Sequence, residues 1–266
     1  MTQLAPAVNY WFMLPACVII AGVAVFCGIS GATMLLPLFF VLFPLFGVPA
    51  LTVPQAVGAA LVLQVAAFGL AVYRYARCGL VRWDIVGSVA VISVPAAILG
   101  AVVAHVPVRV FRLLFAAGLV AIAPVLLRRR SPVPEGSGAR LSLGQLGLVG
   151  GVGGMLTGIV SAGVGETAIP VLSRRGLAMP VVAATAAVLV AATVGAATMA
   201  TAARLAFAGT LRDLAWPVIW WGTPGAVLGE ELAVRSQGRI PERPVQIFLG
   251  ALFVAIAVAF LVLALR

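Results

Sequence analysis

The most constraining feature of this chain is the length of its apolar runs. Six predominantly apolar segments, at about 55–73, 85–104, 108–127, 180–203, 214–233 and 244–265, follow two longer stretches that begin near Leu14 and Leu143. A helix needs about 20 such residues to cross the roughly 30 Å hydrocarbon layer of a bilayer. The runs lack the period-two alternation of an outer-membrane barrel. Apolar residues make up 63% of the chain, charged ones 9%, and the mean hydropathy is +1.20. A water-soluble domain cannot hide that much apolar surface. The expected fold is therefore all-α, a polytopic helical membrane protein.

The charge pattern agrees. The net charge of +10 comes from 17 basic residues against 7 acidic ones; the basic residues are all arginines, nearly all set in the short gaps between apolar runs. Nucleic-acid binders gather basic residues on one face or tail, so no nucleic-acid partner is expected. Arginines at helix ends instead fix orientation in a membrane, and Arg128-Arg129-Arg130 reads as a cytoplasmic anchor. Cys17, Cys27 and Cys78 form no CxxC or Cys/His constellation, which supports neither a disulfide frame nor a metal site. His105 reads as an interfacial residue. No basic n-region follows Met1, so the first apolar run is expected to remain in the protein.

The chain also repeats itself. Pro95-Ala-Ala-Ile-Leu-Gly100 returns as Pro224-Gly-Ala-Val-Leu-Gly229, and Gly79-Leu-Val-Arg82 as Gly209-Thr-Leu-Arg212. Pro107-Val-Arg109 matches Pro241-Glu-Arg243, and Val120-Ala-Ile-Ala123 matches Val254-Ala-Ile-Ala257. These offsets are 129, 130, 134 and 134 residues in the order given, and the landmarks keep one order along the chain. Chance likeness among Ala- and Leu-rich helices explains one pair but not four in register. The division is a first transmembrane repeat at 1–127, a polar linker at 128–142 with Pro132, Pro134, Gly136 and Gly138, and a second repeat at 143–266.

Each repeat opens with an apolar stretch broken by small residues, Gly28–Pro37 in the first and Ser161–Pro170 in the second, 133 residues apart when aligned on the prolines. A continuous helix over Leu14–Phe46 would be about 50 Å long, and clustered Gly, Ser and Pro weaken helix continuity. Each stretch therefore reads as two helical pieces joined at a break. If the broken stretches cross the membrane, the arginines divide 10 to 7 between its sides; if they return as re-entrant hairpins, 12 to 5. Positive charge marks the cytoplasmic side, which favours hairpins, termini outside, and inverted repeats.

Exposed backbone is tolerable inside lipid only where it is buried in protein or lines a wet cavity. Matching breaks point to one shared site, where half-helix N-termini aim N–H groups and a positive dipole end at a ligand. Gly28, Ser30, Gly31 and Thr33 in one break, with Ser161, Gly163, Gly165 and Thr167 in the other, suit a small anion. Enlarging Gly31 or Gly163 to Val is expected to block it without loss of expression. Glu166, the acidic residue inside a break, is the candidate proton-coupling group, because ionisable residues within membrane segments are costly and tend to be functional. Trp11, Trp83 and Trp216 fit the headgroup region; Trp220 and Trp221 lie deeper and are candidates for lining a pocket.

On the Gly-rich break ending in Pro37, the Ala56-Val57-Gly58 segment and the Pro224–Gly229 run, the chain resembles the sulfite exporter TauE/SafE family, also called the toluene-sulfonate uptake permease family. The resemblance covers nearly the whole chain. It implies an inner-membrane transporter of small sulfur-containing anions such as sulfite or organosulfonates. The family's usual triple glycine is Ser30-Gly31-Ala32 here, and Ala59-Ala60 replaces a frequent Thr-Ser pair. Thr185 supplies a hydroxyl at the comparable place in the second half and joins the substrate-binding candidates.

No HExxH, GxSxG or Cys/His cluster supports an intramembrane enzyme, and no cofactor is expected. The expected partners are a small anion, the bilayer and candidate coupling protons. A passive anion channel and a non-transporting assembly subunit are the competing readings.

Overall fold

The computed structural model describes residues 10–104, 107–127, 141–237, 239 and 242–265. His105, Arg128–Arg130, Arg266 and all but the last two residues of the linker at 128–142 lie outside the described residues. No strand occurs among the described residues. Among the described residues ten main helices lie five on each side of the linker expected at 128–142: α1 (Met13–Cys27), α2 (Ala32–Leu45), α3 (Val53–Arg77), α4 (Trp83–Val103) and α5 (Val108–Leu127), then α6 (Leu143–Val160), α7 (Val164–Ser173), α8 (Met179–Phe207), α9 (Trp216–Ser236) and α10 (Glu242–Leu265). Of these, α3, α4, α6 and α8 are long and apolar enough to span a membrane.

The broken stretches are hairpins. α1, at 15 residues, is about 22 Å long, short of a full crossing. Its start meets the end of α2: the Tyr10 and Phe43 ring centroids lie 5.9 Å apart, and Phe12 stacks on Phe46 at 5.1 Å. In the second repeat the Arg175 guanidinium, just past α7, donates to Gln145 in the first turn of α6. Both stretches thus return to the level at which they began. Pro37 has no N–H to offer the turn before it, and α2 widens into a π-helical turn over Leu38–Leu42 just after it. A second π segment, Gly147–Gly153, occupies α6.

The repeats interlock. α1 packs on α9 and α6 on α4, so each opening helix lies against a helix of the other repeat, while α3 packs on α9, α8 on α4, α3 on α8, and α5 on α10. Small residues permit the approach. A Cβ on Gly229 would sit 2.3 Å from the Val18 carbonyl oxygen, and one on its counterpart Gly100 2.4 Å from that of Met155. Close backbone contact through small residues is how helices associate where no hydrophobic force separates protein from lipid. The repeated Pro95–Gly100 and Pro224–Gly229 runs are thereby explained as packing elements.

Outward faces are apolar. Ile19, Val91, Met199 and Leu232 are exposed, as befits lipid contact. Trp220 and Trp221 belong to this outer face as well, with Trp220 73% exposed and Trp221 36%.

Candidate functional site

The two hairpin tips meet. α1 ends at Gly28 (φ 74°, ψ 18°) and α6 at Ser161 (φ 62°, ψ 11°), both left-handed. They are equivalent positions, 133 residues apart. Glycine takes this conformation at no steric cost, whereas for Ser161 it is uncommon and strained. Gly28 needs to be Gly for a second reason, since a Cβ there would lie 2.7 Å from the Ala183 carbonyl oxygen of α8.

Between the tips lies Glu166, 3% exposed, in the first turn of α7. One carboxylate oxygen accepts from the Ser30 N–H at 3.0 Å and the Thr33 hydroxyl at 2.5 Å; the other accepts from the Gly163 N–H at 2.8 Å. The donors are related by the repeat. Ser30 corresponds to Gly163, and Thr33 corresponds to Glu166 itself, each at an offset of 133. The carboxylate therefore sits at the N-terminal ends of both α2 and α7, where free N–H groups and the helix dipole favour negative charge. Any other anion seeking those N–H groups must displace it.

A second layer closes the junction. The Ser30 hydroxyl has one proton for two acceptors, Gln64 Oε1 at 2.5 Å and the Ser161 carbonyl at 2.7 Å. Gln64 Nε2 in turn donates to Ser161 Oγ at 2.8 Å and to the Ala60 carbonyl at 3.1 Å. Thr157 Oγ1 accepts from the Val164 N–H at 3.1 Å and donates to the Gly153 carbonyl at 2.9 Å, capping α7. Ser30, Thr33, Gln64, Thr157, Ser161 and Glu166 are all buried. Neither Gln64 nor Thr157 stands out in a motif search; the one available signal was an amide in the apolar middle of the 25-residue α3.

The other candidates fall around this hub. Gly31 borders Gln64, whose Cγ would lie 3.2 Å from an added Cβ. A Cβ on Gly165 would lie 2.7 Å from the Gly28 carbonyl oxygen of the other tip, and one on Gly163 2.5 Å from the Gly153 carbonyl oxygen of its own hairpin, so both serve close backbone packing. Thr167 bonds back to the Gly163 carbonyl at 2.9 Å, within its own helix. Thr185 stands apart, accepting from the Arg82 N–H at 3.2 Å at the start of α4.

A cavity of about 470 Å³ opens beside the hub. It runs between the start of α3 (Thr52, Gln55), the last turns of α8 (Thr201, Arg204) and the end of α6 (Gly158, Ile159), two residues short of Ser161. Gln55 ties its rim together by donating to the Asp213 carbonyl at 2.9 Å.

Among known proteins, the model of one family, described as sulfite exporter TauE/SafE, matches residues 13–260, from the first turn of α1 to the last turns of α10. The chain belongs to the sulfite exporter TauE/SafE family. No curated protein and no solved structure matches it. TauE/SafE is a family of membrane transporters, and the match takes in both hairpins, the hub and the cavity. The chain is accordingly a multi-pass membrane protein of a transporter family. Among the described residues no three His, Cys, Asp or Glu side chains form a group able to hold a metal ion.

Proposed function

We propose that this chain is a secondary transporter that carries a small sulfur oxyanion, sulfite or an organosulfonate, across the inner membrane, with Glu166 as the proton-coupling group. The observation that carries the reading is the meeting of two half-helix N-termini at one buried carboxylate. N–H groups aimed at a common point form an anion site, and here the protein's own anion fills it. Protonation of Glu166 weakens its claim on those donors and frees them for the substrate, so that proton and anion move together. Family membership supports the sulfur chemistry. We read each repeat as a returning hairpin followed by three crossing helices; on that reading the repeats run in opposite directions, the inverted arrangement with broken helices at the midplane that secondary transporters use.

Uptake of radiolabelled sulfite into proteoliposomes, with and without a pH gradient, tests this. The wild-type chain is expected to accumulate sulfite against its concentration when the gradient is imposed. Glu166→Gln is expected to keep sulfite exchange and to lose the response to the gradient. Downhill movement alone, insensitive to the gradient in the wild type, would identify a passive channel instead.

A further inference from the structure

The seam between α3 and α9 and the seam between α8 and α4 correspond to each other under the repeat, yet their ends are built differently. The α8–α4 seam ends at the cavity, which Ala104, Thr201 and Ala208 help to line. The α3–α9 seam ends in charge. Arg74 of α3 pairs through one guanidinium nitrogen with Glu231 of α9, and the same nitrogen lies 3.6 Å from Glu230. Arg235, 73% exposed, holds the other oxygen of Glu231 at 2.6 Å. The α4 residues that correspond to the two acids, one and two places beyond Gly100, are Ala101 and Val102.

Glu230 is the odd member of the cluster. Its side chain is fully buried, and neither carboxylate oxygen has a hydrogen-bond partner. The groups around it do not meet a negative charge. The guanidinium nitrogen nearest to it is already bound by Glu231. Tyr75 of α3 donates its hydroxyl to the Val25 carbonyl of α1 at 3.1 Å, and beyond Tyr75 the ionisable group of α1 is the buried thiol of Cys27. Two carboxylates therefore share one guanidinium inside the seam. A buried carboxylate without donors or a counter-charge of its own takes up a proton instead, and of two acids at one site one stays neutral. With Glu230 protonated the interior of the seam balances, Arg74 against Glu231. Close packing at Gly229 would be served as well by the alanine that α4 carries beside Gly100.

We propose that Glu230 is a second proton-binding site, separate from Glu166, occupied while the α3–α9 seam is closed and emptied when the seam opens. Separation of α3 from α9 breaks the Arg74–Glu231 pair, brings water to Glu230 and lets the proton leave as the carboxyl ionises. Closure takes one proton back, so acid favours the closed seam. Arg74 and Glu231 are 28% and 25% exposed, which leaves the proton a short way out. It returns to the face it came from. It therefore sets how readily that face opens and drives no accumulation, which is the work of Glu166. The gating role rests on the transport reading given above; the proton itself does not.

Infrared spectroscopy of the purified full-length chain in detergent tests the proton, because a protonated carboxyl absorbs apart from an ionised one and shifts in D2O. The wild type is expected to show such a band that persists in Glu166→Gln and is absent from Glu230→Gln. In Glu231→Gln, where Arg74 is free to turn to Glu230, the same band should vanish as Glu230 ionises. That variant decides alone if Glu230→Gln yields no monodisperse protein. Exchange of radiolabelled sulfite in proteoliposomes with equal pH on both faces tests the gate. The rate in Glu166→Gln, divided by that in Glu166→Gln/Glu230→Gln, is expected to be near one at about pH 6 and several-fold at about pH 8; the titration of sulfite cancels in this ratio. A Glu230→Gln spectrum equal to that of the wild type, an undiminished band in Glu231→Gln, or a ratio that does not change with pH overturns the proposal. A wild-type chain that exchanges neither sulfite nor ethanesulfonate overturns the transport reading and the gate with it, and the infrared bands then decide whether Glu230 holds the proton.

Discussion

Glu166 touches both repeats, and its replacement separates two roles. Glu166→Ala leaves the Ser30 and Gly163 N–H groups and the Thr33 hydroxyl without their acceptor, at a cost of at least about 2 kcal/mol. The variant should melt well below the wild type in detergent, whereas Glu166→Gln, which keeps one acceptor oxygen, should melt close to it. Thr33→Glu is a sharper probe. It restores the symmetry of the repeat by placing a second carboxylate where the hydroxyl now meets the first at 2.5 Å. Two carboxylates that close cannot both be charged without a large penalty, so the variant's melting temperature should fall as pH rises from about 5 to about 8, more steeply than that of the wild type. A flat profile would show that the two side chains do not face each other. Glu166 was legible in the sequence as an acid inside an apolar break. Gln64 was not, because its importance comes from facing Ser30 and Ser161 across 34 and 97 residues of chain, a proximity that no local pattern records.

Among the elements, the hairpins were the part that sequence could only weigh. Arginine counting favoured a return over a crossing, but the aromatic contacts between the start of α1 and the end of α2 are what show it. Cysteine labelling in a Cys-free background checks the sidedness: Ala50→Cys should react from the same side as a cysteine at Tyr10, and Arg77→Cys from the other. Reaction of residues 10 and 50 from opposite faces would mean that α1 and α2 together cross. The small residues of the breaks divide in a way that composition does not reveal. Gly31→Val meets only the flexible Gln64 side chain and should fold while impairing transport. Gly163→Val drives a side chain into the backbone of α6; it is expected to lose folded yield, so normal expression is expected of the Gly31 variant alone. The reason is physical: a glycine at a ligand site and a glycine at a backbone crossing look identical until the partner helix is placed.

For the whole molecule, the contacts that join the repeats are the ones a transport cycle would have to change. Ser93 on α4 and Thr193 on α8 face each other at 2.9 Å between hydroxyl oxygens, both buried. Ser93→Cys/Thr193→Cys, with Cys17, Cys27 and Cys78 replaced, should form a disulfide under oxidation that stops sulfite transport and releases it on reduction. Full transport by the cross-linked protein would place the moving boundary elsewhere. The duplication itself was readable from four landmark pairs, yet its spatial meaning was not, since repeats in sequence could equally have stacked side by side as independent bundles.

The exchange of α1 onto α9 and of α6 onto α4 has a consequence for how the protein comes into being. During synthesis the first helix emerges with its main partner still some 200 residues of untranslated message away, and domains normally fold as units in order of appearance. This chain has no such order available to it. The N-terminal repeat must wait in the membrane with the face of α1 that carries Leu14, Cys17, Val18 and Gly22 uncovered, and the final assembly closes only when α9 arrives. Residues 1–142 expressed alone should therefore be degraded, while the same piece co-expressed with residues 143–266 should survive and transport, each fragment completing the other. Stable accumulation of the first fragment by itself would show that the early helices find another shelter.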